Sequence, residues 1–188
     1  YARGGITKWY WDFRDRAVLR HTAKVGSVLD IGCGEGITLE KVIKQGWGKR
    51  IILGIDTDQE SVSIASHHGV AALKASAYDI SDCQWECCMM LDVIEHLVDP
   101  MKALRNIHRI LLPGGKFILM FPNDRLFFWA RLICMKFKAA FMDYGHEWKF
   151  TPAAMGFILE DMGFVVEVVR RIPGFFLPLH YLMVARKI

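Results

Sequence analysis

The chain has 188 residues, 53% of them hydrophobic and 23% charged, with a formal net charge of +4. That length suits one domain with a core of its own, and the composition excludes a disordered or collagen-like chain. No uncharged apolar run reaches the roughly 18 residues of a membrane span, and so small a net charge predicts neither nucleic-acid nor membrane binding by itself.

Apolar runs and helix-period segments alternate along the chain. Ser27 to Ile31 reads as a buried strand that runs into a glycine-rich turn, and Thr38 to Gln45 as a helix with Leu39, Val42 and Ile43 on one face. Ile51 to Ile55 is a second strand, Gln59 to His67 a helix, and Val70 to Ala75 a third strand. Trp85 to Leu91 makes a fourth strand, Met101 to Leu111 a helix, and Pro113-Gly114-Gly115 a turn into a fifth strand, Lys116 to Phe121. A helix over about 152–162 and strands over 164–169 and 180–185 close the chain. The last two strands have no helix between them, which predicts an antiparallel hairpin at one sheet edge. Strands that are apolar on both faces and alternate with helices predict a doubly wound, mostly parallel α/β sheet. In such a sheet ligands bind at the carboxyl ends of the strands.

Five cysteines, Cys33, Cys83, Cys87, Cys88 and Cys134, are an odd set for a disulfide framework and point to a reducing compartment. No Cys-x-x-Cys pair or matching histidine pair completes a zinc site, so no metal is expected. The first residues, Tyr-Ala-Arg-Gly-Gly, carry no signal-peptide pattern and no initiator methionine. The expected location is therefore the cytoplasm, with an upstream segment left open.

The strongest chemical signal is Asp30-Ile31-Gly32-Cys33-Gly34-Glu35-Gly36, between strand one and the first helix after it. Glycines there let the backbone approach a ligand closely. The spacing is Gly-x-Gly-x-Gly, not the Gly-x-Gly-x-x-Gly of dinucleotide sites, and an acid beside the turn suits a cationic ligand better than a pyrophosphate. Asp56 ends strand two, where a carboxylate can accept both hydroxyls of a ribose. Asp79 follows strand three, where it can accept from an adenine amino group. Each aspartate alone could be a helix cap, as Asp58 is expected to be. The ordered set describes a pocket for an adenosine that carries a positive group.

Val28 to Gly36 resembles motif I of the class I S-adenosylmethionine-dependent methyltransferases, and Gly54-Ile55-Asp56 resembles their ribose-binding motif. Met90 to Pro100 is similar to their segment after strand four, and Leu111 to Lys116 to the turn before strand five. The closest flavour is the small-molecule subgroup of ubiquinone and menaquinone biosynthesis. The resemblance covers about 28–188. It implies a Rossmann-like, seven-stranded sheet with a C-terminal β-hairpin in a single domain spanning 1–188, and S-adenosyl-L-methionine as cofactor. It also implies roles. Asp30, Gly32, Cys33, Gly34 and Gly36 surround the methionine part, and Asp56 and Thr57 the ribose. Asp79 or the Ile80 backbone meets the adenine, with Leu91 and Asp92 as further contacts.

Methyl transfer from a sulfonium needs mainly positioning, and a base only where the acceptor carries a proton of high pKa. His96, after strand four, is either that base or a cofactor contact, or else a helix-start residue. His146, in Tyr144-Gly145-His146-Glu147-Trp148, is a second candidate base, with Tyr144 and Trp148 on the acceptor, or else these residues pack the loop. Residues 125–138, with Trp129 among them, read as an amphipathic helix. It either packs on the core or a partner, or acts in a lid over about 124–150 against an apolar acceptor or a membrane surface. An N-terminal helix over about 7–24 is expected to cap the site, with Arg14 meeting the cofactor carboxylate. The favoured partner is a small-molecule acceptor. Nucleic acid is disfavoured, since no Asn/Asp-Pro-Pro-Tyr/Phe tetrapeptide follows strand four. The alternative is a protein of this fold that binds the cofactor without turnover and acts through a partner, of the methionine-biosynthesis-associated type.

Overall fold

The structure is a computed structural model that describes residues 5–46, 51–123, 147–174 and 178–188, with side chains from Trp9 onward. Helix α1 (Gly5–Thr22) leads into strand β1 (Ser27–Ile31), α2 (Ile37–Lys44), β2 (Ile51–Asp56), α3 (Gln59–His67) and β3 (Ala72–Lys74). Then come β4 (Trp85–Leu91), a single 3-10 turn (Ile94–His96), α4 (Pro100–Ile110) and β5 (Leu111–Pro122). Helix α5 (Pro152–Asp161), β6 (Phe164–Ile172) and β7 (His180–Lys187) complete it.

Seven strands form one sheet in the order β3-β2-β1-β4-β5-β7-β6. The first five run parallel, and β7 enters antiparallel between β5 and β6. The doubly wound sheet and its C-terminal hairpin are those expected from the sequence. Strand five begins at Leu111 rather than Lys116, because Leu111 already pairs with Trp85. The register then shifts past the Pro113-Gly114-Gly115 bend, and Lys116 pairs with Cys87.

The pleat sorts the core into two layers. Leu29, Ile31, Cys88, Met90, Phe117 and Leu119 face α4 and α5. Their neighbours Val28, Cys87, Met89, Leu91, Ile118 and Met120 face α1 and α2. Covering both faces explains why all five residues of β1 are buried, Asp30 among them. On α4, Ala103, Leu104, Ile107 and Ile110 lie fully buried at helical spacing. The Asp99 side chain accepts from the Lys102 N–H and starts that helix, with Pro100 in its first turn. These devices hold the carboxyl ends of β1, β2 and β4 side by side along one edge of the sheet.

Candidate active site

Strand β1 delivers Asp30 to that edge at 3% exposure. Its Oδ1 is buried and has no hydrogen-bond partner among the described residues. Burial pushes its pKa up to about 7; Arg14 opposes the rise, and Asp56 and Asp15 add to it. The turn that follows needs glycine. Gly32 has φ 77°, and a Cβ there would lie 2.3 Å from Val93 Cγ2, so the chain passes tightly against the segment after β4. Gly34 has φ 51° and nothing within 4 Å of where its Cβ would stand, so its bare face borders open space. The Gly32 and Cys33 N–H groups both donate to Ile55 O, at 2.8 and 3.0 Å, wrapping the turn onto β2. The Cys33 thiol is pushed up to about 12 by burial first, then by Asp30 and Asp56, so it stays a thiol. Gly36 precedes α2 with φ 76°.

Asp56 ends β2 with its carboxylate turned to backbone. Gly34 N–H donates to Oδ2 at 2.8 Å and Asp58 N–H to Oδ1 at 2.9 Å. Asp58 caps α3, accepting from Glu60 N–H and Ser61 N–H, as its position predicts.

Two hollows meet at this edge, sharing Gly32 and Leu91. One, of about 290 Å³, is lined by Arg14, Asp30, Cys33, Gly34 and Thr38 among others. The other, of about 410 Å³, is lined by Asp56, Thr57, Ala77, Tyr78, Asp92 and His96 among others. Asp79 and Ile80 do not line either one. Asp79 is exposed, with its N–H on Ser76 O. Ile80 is buried in the core, and its carbonyl accepts from Arg109. After β3 it is Ala77 and Tyr78 that border the second hollow, with the Tyr78 hydroxyl accepting from Asp99 N–H at 3.0 Å. Thr38 and Tyr78 carried no motif and escaped the sequence reading.

Helix α1 closes the first hollow. Arg14, 5% exposed, donates to Asp92 Oδ2 at 2.9 Å and to Asp15 Oδ1 at 3.3 Å, and lies over the Trp11 ring. Asp92 sits in the left-handed region at φ 58°, just past β4, with its N–H on Met120 O. On its other side His180 Nε2 is 3.4 Å from Asp92 Oδ1, and the Tyr10 hydroxyl bonds to His180 Nδ1. Burial first, then Asp92, raises the Tyr10 pKa, so the phenol keeps its proton. Tyr10 and His180 stand 170 positions apart in the chain. They meet because antiparallel β7 begins opposite Pro122, which returns His180 to the carboxyl edge of β5. No local signal in the sequence marks this pair.

His96 lines the second hollow from the 3-10 turn, with its side chain about half exposed. Trp148 comes to the same corner. Its N–H and that of Glu147 donate to Glu95 O, and its ring stacks on Phe150. Trp129, Tyr144, His146 and the amphipathic stretch over 125–138 lie outside the described residues. Among the described residues no helix is long and apolar enough to cross a membrane.

A family profile described as a methyltransferase domain matches residues 6–169. A ubiquinone biosynthesis O-methyltransferase from Coxiella burnetii is 27% identical over 103 residues, covering 50% of this chain and 43% of that protein. Its namesake from Vibrio vulnificus is 29% identical over 104 residues, covering 47% of this chain and 40% of its own length. The chain thus spans less than half the length of these curated relatives. Among solved structures, a magnesium protoporphyrin IX methyltransferase from Synechocystis with bound S-adenosylhomocysteine superposes with a TM-score of 0.74. It is 14% identical, over 100% of this chain and 90% of that one. An S-adenosylmethionine-dependent methyltransferase from Mesorhizobium loti gives a TM-score of 0.72 at 16% identity, over 91% of this chain and 96% of that one. At such identities these structures speak for the fold. The profile, spanning most of the chain, and the acidic and glycine set at the carboxyl edge agree: this chain belongs to the class I S-adenosylmethionine-dependent methyltransferase family.

Proposed function

We propose that the two hollows together hold one molecule of S-adenosylmethionine, and that the chain transfers its methyl group to an oxygen of a small, partly apolar acceptor. The observation that carries this reading is Asp30, a buried carboxylate beside the glycine turn with an oxygen that no described residue satisfies. Leaving such a group unpaired is costly. An ammonium in the first hollow supplies both the missing donor and the missing charge, and Arg14 supplies positive charge for a carboxylate. Asp56 spends one lone-pair direction of each oxygen on backbone, which leaves acceptor capacity for ribose hydroxyls. Thr57 stands beside it, and Ala77, Tyr78 and Leu97 border the space for an adenine.

When bound, S-adenosylmethionine supplies an electrophilic methyl group on sulfur. The chain's own residues orient the acceptor in line with it and exclude water. His96 takes the hydroxyl proton of the acceptor on a ring nitrogen at the rim of the second hollow. His180, with Nδ1 held by Tyr10, positions Asp92, and Asp92 in turn holds Arg14 at the first hollow. Oxygen comes forward as the acceptor atom because the curated relatives bear O-methyltransferase in their names. The stacked Trp148 and Phe150, with Phe121 edge-on to Phe150, give the rim an apolar wall.

Calorimetric titration with S-adenosylmethionine, S-adenosylhomocysteine and NAD tests the pocket. Micromolar binding of the two sulfur ligands, about −8 kcal/mol, with none for NAD, is the expected result. Binding of neither sulfur ligand overturns it. Transfer of labelled methyl to a panel of phenols, lost in His96→Gln with cofactor affinity retained, tests the oxygen acceptor and the base. Cofactor binding with no turnover on any acceptor would favour action through a protein partner.

A further inference from the structure

Helix α1 has a second face, unrelated to the cofactor edge. Phe13, Arg16, Ala17 and Arg20 fall at helical i, i+3, i+4 and i+7 spacing, so they form one stripe. Opposite them runs the end of β6, the strand at the free edge of the sheet, with Val169, Arg170, Arg171 and Ile172. A hollow of about 710 Å³ lies between the two elements, larger than either hollow at the cofactor edge. Its deeper lining is apolar: Ile172 is 2% exposed and Ala17 7%, with Phe13 half-buried beside them. Its arginines are exposed around that lining.

No carboxylate among the described residues pairs with Arg20, Arg170 or Arg171, and the Arg16 Nε–H donates to a backbone carbonyl, that of Asp12. The neighbouring acids are engaged elsewhere. Asp12 and Asp15 meet Lys41, and Glu167 meets Arg186. The positive field registers on His21, next to Arg20 on the helix. Burial, then Arg170, Lys116 and Arg20, hold its imidazole below the usual range. Arg16 and Arg20 on α1 and Arg170, on the same β6 face as Ile172, bring three positive charges to one concavity, and these repel one another unless an anion sits among them. They carry more charge than one carboxylate neutralises, and their planar forks match phosphoryl oxygens in pairs. The volume is that of a small-molecule site, and the apolar lining asks for a hydrocarbon portion.

We propose that the hollow between α1 and β6 binds an organic phosphate with an apolar tail, its phosphoryl group between Arg20 and Arg170 and its tail on Phe13, Ala17 and Ile172. This site stands apart from the glycine turn and does not depend on the cofactor reading. The shared chemistry is a phosphate ester on an alkyl chain, whether a soluble metabolite or a lipid headgroup supplies it.

Titration of the full chain with octyl phosphate tests this, with inorganic phosphate and octyl glucoside as probes of each half alone. The variants are the double substitution Arg20→Gln, Arg170→Gln and, as a charge control on the opposite layer, Arg105→Gln. The expected result is saturable binding of octyl phosphate, tighter than inorganic phosphate, weakened about tenfold or more in the double variant and unchanged in the control. An unaltered thermal midpoint certifies that the double variant is folded. Absence of octyl phosphate binding overturns the proposal. So does equal affinity for octyl glucoside, or full binding by the double variant. Flotation with phosphatidylcholine vesicles containing phosphatidic acid then identifies the source. Co-flotation of the native chain but not of the double variant supports a lipid ligand, and octyl phosphate binding without flotation supports a soluble one.

Discussion

The ends of β1 and β2 carry the same residue in two different states. Asp30 is buried, holds its proton to about pH 7 and leaves an oxygen without a partner. Asp56, one strand over, is partly exposed, and each of its oxygens takes a backbone N–H. Asp56 therefore shapes the glycine turn through Gly34, whereas Asp30 Oδ1 is left without a hydrogen bond among the described residues. The two carboxylates look alike in the sequence, and only their burial and their hydrogen bonds tell them apart.

The sharpest way to break that contrast is at the turn between them. Gly32→Ala meets a left-handed backbone and a Cβ within 2.3 Å of Val93. It should cost about 3 kcal/mol of stability in urea unfolding, from backbone strain plus overpacking. Gly34→Ala, with open space around its Cβ, should cost about 1 kcal/mol and still abolish cofactor binding. Equal losses of stability in the two variants would mean that the turn is not held against Val93.

Asp30→Asn should weaken S-adenosylmethionine about 100-fold and yet stabilise the ligand-free protein at pH 8 by about 2 kcal/mol, since a buried charge is removed. A variant that loses both stability and binding would make Asp30 a brace like Asp56.

The pH dependence follows with a definite sign. The native chain holds the Asp30 proton to about pH 7, while the unfolded one releases it near 3.8. Native protein therefore binds more protons between those values, and this group's contribution to stability falls as pH rises through that window. Cation binding needs the carboxylate, so cofactor affinity should rise with pH from 5.5 and level off above about 7. An affinity flat across that range removes Asp30 from the contact.

The smallest effect belongs to Asp58→Ala. Loss of the α3 cap should cost about 1 kcal/mol in thermal unfolding and leave cofactor affinity unchanged, because the Asp58 side chain accepts from Glu60 and Ser61, and its N–H, which holds Asp56, survives the substitution. A large loss of affinity there would show that the Asp56 loop depends on its neighbour.

The glycine turn, the strand-end acids and the sheet were legible because each is a local pattern. Apolar runs of strand length, helix-period stripes and a Gly-x-Gly-x-Gly turn all lie within a few consecutive residues. Position alone points to Asp79 or the Ile80 backbone, and neither lines the hollow. The chain after β3 turns so that Ala77 and Tyr78 border the hollow while Asp79 points to solvent. No periodicity encodes which residue of an irregular loop faces inward.

What the sequence by itself determined was the order of the elements, the glycine turn and the placing of acids at the ends of β1 and β2. These depend on short-range sterics and on the hydrophobic period, which the chain carries in its local order. Only the tertiary structure decided that Asp30 keeps a buried oxygen without a hydrogen bond, that Tyr10 and His180 meet behind Asp92, and that arginines from α1 and β6 line one hollow. Those outcomes depend on the antiparallel return of β7 and on the seat of α1 across the sheet, contacts between segments more than a hundred residues apart.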